Sequence, residues 1–159
     1  MQGDGNGMKG PLSFLYVPDR AWAILFARTI LGLIFFMAGV WKVFELGPLQ
    51  HAVRYFVGPY AESFLPRWSL WATGVTVPVV ELLAGAALLV GWQVRVALLA
   101  LGGVLVLVTF GHLLADPLFQ FHTHVIPRAA LLLFLLVMPR GDDRLSLDHW
   151  LSRPGESPE

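Results

Sequence analysis

The stretch WSLWATGVTVPVVELLAGAALLVG, residues 68–91, decides the fold of this chain. It is long enough to cross a lipid bilayer, which takes about 20 apolar residues, and Glu81 is its only charged residue. A charged group at membrane depth costs roughly 2.5–3.5 kcal/mol on insertion scales, so it must be paired, hydrated or used. Glu81 therefore predicts an integral membrane protein with a polar interior.

The composition of the whole chain supports a membrane protein. Hydrophobic residues make up 56% of the chain and charged residues 14%, whereas a soluble domain holds about a quarter charged residues. Apolar runs predict helices at residues 22–44, 68–91, 94–115 and 119–139. We therefore expect an all-α, integral membrane bundle of four transmembrane helices. It would lie as a multi-pass protein in the cell (inner or plasma) membrane, surrounded by the lipid bilayer.

The regions around the predicted helices suggest three parts. Residues 1–19 are predicted to be a mobile N-terminal segment, residues 20–150 the membrane domain, and residues 151–159 a disordered tail. Residues 45–67, between the first two helices, mix charged and aromatic side chains, which predicts an interfacial segment. Six Lys or Arg residues flank the helices on the side of the termini and three on the other, which favours cytoplasmic N and C termini.

Composition also excludes several classes of chemistry. The chain has no cysteine, so it has no disulfides, no thiolate metal sites and no covalent haem attached through a Cys-x-x-Cys-His motif. Its formal net charge is zero, which gives no reason to expect nucleic acid as a partner. We assign no metal ligands from the sequence.

Three ionisable residues deep in the apolar runs are the candidate catalytic group: Arg28, Glu81 and Arg128. The simplest arrangement brings Glu81 against Arg128, Arg28 or both. Two interpretations stay open. The ions either pair only to lock the bundle together, or they form a proton-linked polar site in its core.

A second group of polar residues is predicted at the outer end of the bundle. His112 closes the third predicted helix, and His122 and His124 open the fourth. Histidine is suited to hydrogen bonding a quinone carbonyl and to metal ligation. We expect His112, His124 and Lys42 to be possible contacts for a quinone headgroup. Histidines bonded to loop carbonyls are the alternative.

Three short segments resemble the DoxX family of small four-helix membrane proteins. They are RTILGLIFFMAGVWK at 28–42, PVVELLAG at 78–85 and DRLSLD at 143–148. The resemblance implies a four-helix bundle, and some members of that family are the small membrane subunit of a thiosulfate:quinone oxidoreductase. It also implies that Arg28, Lys42 and Glu81 occupy recurrent charged positions of the family.

These observations predict a small membrane subunit of a quinone-linked, respiratory-type redox complex that works with other membrane or membrane-associated subunits. If the protein is enzymatic, we expect it to be part of a quinone-linked oxidoreductase rather than a catalyst alone. The alternative is a non-catalytic accessory subunit that anchors or stabilises a larger membrane complex. A third possibility is a small transporter with Glu81 at its gate.

Overall fold

The computed structural model describes residues 17–116 and 122–152, and the regular elements within those ranges are helices. Two π-helical turns and one 3-10 turn interrupt or follow the α-helices. The α-helices are α1 (Asp19–Val40), α2 (Pro48–Ala52), α3 (Arg67–Val90), α4 (Val94–Ala115), α5 (Val125–Val137) and α6 (Leu147–Leu151); the π-helical turns are Trp41–Leu46 and Val53–Val57, and the 3-10 turn is Arg140–Asp142.

Three of these helices are long and apolar enough to cross a bilayer. They are α1 with the π-helical turn that continues it, α3 and α4, and their bounds lie within a few residues of the first three predicted helices. Gly91 ends α3 in the left-handed conformation, with φ of 75°, which glycine adopts without strain. The protein is thus a helical, multi-pass membrane protein.

The backbones of α1 and α3 are in direct contact along two glycines. A Cβ atom on Gly39 would lie 2.5 Å from the backbone N of Leu82, and one on Gly85 would lie 2.5 Å from the backbone N of Phe36. The helices run antiparallel, and both contacts belong to one register. Small residues that let helix backbones meet are the usual basis of packing in lipid, where there is no hydrophobic force between helices.

The core of the bundle is an apolar layer between α1, α3, α4 and α5. Large apolar side chains such as Phe26, Leu83 and Leu133 point outward instead and are more than half exposed, as expected of surfaces that contact acyl chains. The members of the core that are at most 5% exposed are Ile24, Leu31, Phe35, Leu88, Ala97, Leu98, Leu101, Leu132 and Leu135.

The fourth helix is shorter than the sequence predicts. Within the described residues it runs from Val125 to Val137, and residues 119–121 of the predicted helix lie outside them. Its 13 residues extend about 20 Å, less than the hydrocarbon core of about 30 Å. Pro127 explains the start, because a proline lacks the backbone N–H that a helix interior needs but is tolerated in the first turn. Hydropathy alone had extended the helix at both ends.

The terminal predictions fall mostly outside the described residues. Only residues 17–19 of the predicted mobile segment and residues 151–152 of the predicted tail are described, and Asp19 begins α1 while Leu151 ends α6. The predicted interfacial segment, 45–67, is described in full. It forms α2, the second π-helical turn and a series of turns, and Ala52 packs against Gly74 of α3.

Candidate functional site

Glu81 pairs with Lys42. The Nζ atom of Lys42 lies 2.5 Å from Oε2 of Glu81, and the two side chains are 22% and 7% exposed. The antiparallel register of α1 and α3, fixed by the contacts of Gly39 and Gly85, brings these positions opposite each other. The predicted pairing of Glu81 with Arg28 or Arg128 is therefore wrong. We call Lys42 and Glu81 the central ion pair.

A change in helix type occurs where the central ion pair forms. Lys42 lies in the π-helical turn Trp41–Leu46, directly after α1. A π-helical turn inserts extra chain into a helix and so changes the direction of the side chains within it, and such turns are frequent at functional sites. A second π-helical turn, Val53–Val57, follows α2 on the same connection.

His51, on α2, interacts electrostatically with both members of the central ion pair, and no site role is predicted for it from the sequence. Its ring is 4% exposed, and Nδ1 lies 2.7 Å from the carbonyl oxygen of Gly74. Pro78 has no N–H to donate to that carbonyl one turn earlier, so the histidine takes its place. Since a carbonyl only accepts, Nδ1 carries the proton. Pro78 inside an apolar helix was the signal in the sequence.

Burial also sets the protonation state of His51. Burial lowers the pKa of His51 below its ordinary value of 6.5, and the nearby charge of Lys42 lowers it further. The hydrogen bond to Gly74 and the charge of Glu81 act in the opposite direction and are outweighed. The rings of Tyr55 and Phe56, with centroids 5.2 and 5.6 Å from the imidazole, form its apolar surroundings. The imidazole is therefore shifted toward its neutral form, within electrostatic range of the central ion pair.

Arg28 belongs to a different polar group, at the end of the bundle where α1 begins. It is 1% exposed; its Nη1 donates to the carbonyl oxygen of Leu88 at 2.5 Å, and its Nη2 donates to that of Leu145 at 3.1 Å. Its Nε lies 3.6 Å from Oδ2 of Asp143. One guanidinium thus ties α1 to the end of α3 and to the segment that precedes α6.

Two aspartates complete this group, which we call the basal cluster: Arg28, Asp143 and Asp148. The carboxylate of Asp148 accepts hydrogen bonds from the backbone N–H groups of Gln93 and Val94, at 2.8 and 2.9 Å, and so fixes the turn between α3 and α4. Burial raises the pKa of Asp143, against the opposing effect of the Arg28 charge. Residues 143–148 carry part of the resemblance to DoxX, and that resemblance gives the two aspartates no role.

The structure places the remaining predicted site residues apart from the central ion pair. The guanidinium of Arg128 lies 5.8 Å from the centroid of the Phe35 ring, a cation–π distance, and Arg128 is half-buried. Nδ1 of His112 lies 2.7 Å from the carbonyl oxygen of Val108 in its own helix. His124 is exposed and is the N-cap residue of α5. Lys42 contacts Glu81. The three predicted quinone contacts, Lys42, His112 and His124, therefore each have a different environment.

Residues that could hold a metal are also dispersed. In residues 17–116 and 122–152, no group of three or more His, Cys, Asp or Glu side chains converges on one point. The side chains of Lys42, Glu81 and His51 instead offer an ammonium, a carboxylate and an imidazole.

Comparison with known families assigns the chain. The sequence model described as methylamine utilisation protein MauE matches residues 20–124, more than half of the chain. The protein belongs to the MauE family. The match includes α1 to α4 and the central ion pair, whereas Asp143 and Asp148 of the basal cluster lie beyond it. Neither a curated protein nor a solved structure matches.

The family match overturns the resemblance to DoxX. Two of the three segments that carried that resemblance are short apolar runs with glycines and one or two charges, a pattern that close helix packing in a membrane requires in general. The third, residues 143–148, lies outside the part of the chain that the MauE family covers. Membership of the MauE family replaces the earlier assignment, together with its implied link to thiosulfate oxidation.

Proposed function

We propose that this protein is a non-catalytic accessory component of methylamine utilisation that works within the membrane and stabilises other subunits there. Membership of the MauE family supports the process, since the family is described as methylamine utilisation protein. The observation that carries the accessory role is the internal pairing of Lys42 with Glu81 at 2.5 Å. A carboxylate so engaged needs no substrate or cofactor to justify its position in the bundle.

The basal cluster supports the same proposal. Arg28 makes its contacts with main-chain carbonyls and with Asp143, all within the chain. A buried charge that bridges several elements fixes their relative positions, and this is a role in specificity of fold rather than in chemistry. The outward faces of α1, α3 and α4 remain apolar and available to lipid or to the helices of a partner.

Isosteric replacement of the central ion pair tests the accessory role. In a deletion strain complemented with variants, the double substitution Lys42→Met with Glu81→Leu should restore growth on methylamine, because an apolar pair of similar volume can replace a buried ion pair. The single substitution Glu81→Leu leaves Lys42 unpaired and should reduce protein abundance. Wild type and Val106→Leu, which changes a lipid-exposed residue of α4, are the controls.

Two results would count against the accessory role. One is loss of growth in the double variant at normal abundance, since it would mean that the charges act chemically. The other is a wild-type protein that never co-purifies with another membrane or membrane-associated subunit from cells grown on methylamine.

A quinone-linked redox subunit is the second candidate, and the partial exposure of Lys42 favours it. The Lys42 side chain is 22% exposed and that of Glu81 7%, and His51 lies within electrostatic range of both. Such a group could hydrogen bond a quinone oxygen and exchange a proton with it. Purified wild type should then retain quinone, and Glu81→Gln should abolish quinone turnover by the assembled complex while the complex stays intact. Wild type without quinone argues against this candidate.

We also propose that both termini face the cytoplasm. The contact of Arg20 with Asp142, 3.8 Å apart, supports a common end for the start of α1 and the segment after α5. The excess of Lys and Arg on that side supports the cytoplasmic assignment. Reporter fusions at residue 1 and residue 159 should both report the cytoplasm, and a periplasmic signal from either would refute the proposal.

A further inference from the structure

A cavity of about 480 Å³ lies at the basal end of the bundle. Ile24 of α1, the first residues of α4 and the end of α5 form its walls, and the segment around α6 closes it. Its size falls in the range of small-molecule sites, roughly 300–1,000 Å³. Apolar residues and charged residues both line it, as an amphiphilic ligand requires.

The position of this cavity along the bundle corresponds to the headgroup layer of a bilayer. Arg95, in its wall, is the second residue of α4, where the apolar run begins. Trp92 and Trp150 are both exposed at the same end, at 52% and 68%. Tryptophans concentrate at the boundary between headgroups and acyl chains. The cavity therefore opens at the depth where lipid phosphates lie.

Each carboxylate of the cavity wall already has a cationic or N–H partner, although Oδ1 of Asp143 forms no hydrogen bond within the described residues. Asp148 accepts two backbone N–H groups, and Asp143 lies against Arg28. The two arginines of the wall differ from them. Arg95 donates to the carbonyl oxygens of Leu136 and Met138, and in residues 17–116 and 122–152 neither Arg95 nor Arg140 forms an ion pair.

We propose that this cavity binds the phosphate of an anionic phospholipid through Arg95 and Arg140. A guanidinium has more N–H donors than the two that Arg95 uses on carbonyls, and its planar fork suits a phosphate. The carbonyls of α5 hold Arg95 in place, so little side-chain freedom is lost on binding. The acyl chain would continue along the apolar wall formed by Ile24, Val94, Val96, Leu135 and Met138.

Native mass spectrometry of the purified full-length protein tests this site. The protein in mild detergent is titrated with phosphatidylglycerol, with zwitterionic phosphatidylcholine and with inorganic phosphate. The Arg140→Gln variant keeps both carbonyl contacts of Arg95 and should bind phosphatidylglycerol about fivefold more weakly, the loss expected for one cation near an anionic lipid surface. Arg95→Gln, with its carbonyl contacts altered as well, should lose at least as much.

Arg144→Gln is the matched control, since Arg144 is exposed, is four residues from Arg140 and does not line the cavity. It should bind phosphatidylglycerol like wild type. If Arg144→Gln and Arg140→Gln weakened phosphatidylglycerol binding equally, the lipid would be attracted to a basic surface in general, and the proposed site would be wrong. Equal affinity for phosphatidylcholine would overturn the preference for an anionic lipid. Displacement of the lipid by millimolar inorganic phosphate would assign the cavity to a free anion instead.

Discussion

Lys42 of the central ion pair meets one carboxylate, whereas Arg28 of the basal cluster contacts acceptors on four residues. The difference follows from the two side chains, because an ammonium is a compact point charge and a guanidinium is a planar fork of donors. The central ion pair joins only α3 and the π-helical turn that continues α1. The basal cluster joins those helices to the segment before α6, and so closes the bundle at one end.

The two groups also differ in their relation to the family. Both members of the central ion pair lie within residues 20–124, the part that matches MauE, whereas two of the three basal residues follow it. The central ion pair thus belongs to the two helices that are in closest contact, and the basal cluster attaches a further segment to them. Loss of the basal cluster should therefore affect assembly of the whole bundle, and loss of the central ion pair a more local region.

Removal of the Arg28 side chain is expected to give the largest effect. Arg28→Met leaves Asp143 without its cation and the carbonyls of Leu88, Leu89 and Leu145 without their donor, and breaking a buried pair in this way costs about 3–5 kcal/mol. Unfolding in detergent, followed by circular dichroism, should show this loss. Arg28→Lys should rescue only part of it, because an ammonium cannot reach all of these acceptors.

Arg20→Gln is the control for that experiment. Arg20 is 78% exposed and lies 3.8 Å from Asp142, so its loss should cost less than about 1 kcal/mol. If Arg28→Lys proved as stable as wild type, the forked geometry would not matter and the comparison of the two groups would fail.

Adding a side chain at the contact between α1 and α3 should have the next largest effect. Gly39→Ala places a methyl group 2.5 Å from the backbone N of Leu82, so the helices must separate. Overpacking of this kind costs about 1–3 kcal/mol, and here it also lengthens the contact between Lys42 and Glu81. The same unfolding measurement applies.

Gly103→Ala provides the opposite case, since within the described residues no atom outside the neighbouring backbone of its own helix lies within 4 Å of the position its Cβ would take. There alanine should stabilise α4 slightly, through its higher helix propensity. A Gly39→Ala protein as stable as Gly103→Ala would mean that close approach of α1 and α3 does not hold the central ion pair.

The long helices could be predicted from the sequence because lipid imposes a length and a composition on them. The predicted helix at 94–115 coincides with α4, and the one at 68–91 differs from α3 by one residue at each end. Gly91 marks the end of α3 by its left-handed conformation. α5 was predicted too long, because hydropathy does not register that Pro127 belongs in a first turn.

The partner of Glu81 could not be predicted from hydropathy, because apolar runs do not state which faces meet. The glycines held part of the answer. Gly39 and Gly85 each permit direct backbone contact, and placing them against the facing helix sets a register that brings Lys42 to Glu81. The acceptors of Arg28 were harder to foresee, since Leu88 and Leu145 contribute main-chain carbonyls that carry no mark in the sequence.

The smallest expected effect is the pH dependence of stability. His51, near the central ion pair, and Asp143, of the basal cluster, should change stability with pH in opposite directions. Burial lowers the pKa of His51 in the folded protein below its ordinary value of 6.5. As pH falls below about 6.5, the unfolded chain takes up a proton before the folded one does, so stability decreases. His51→Gln keeps a donor for the Gly74 carbonyl but does not titrate, and its unfolding midpoint should therefore depend less on pH in this range.

Thermal unfolding at pH 8 and at pH 5.5 measures that dependence, with His124→Gln as the control because His124 is exposed. The two variants should respond differently: His124→Gln should lose stability at pH 5.5 as wild type does, and His51→Gln should lose less. Asp143 of the basal cluster acts with the opposite sign, since burial raises its pKa and so favours the folded state at acid pH. If His51→Gln lost as much stability at pH 5.5 as wild type does, protonation of the His51 imidazole would not cause the acid sensitivity, and the prediction would be wrong.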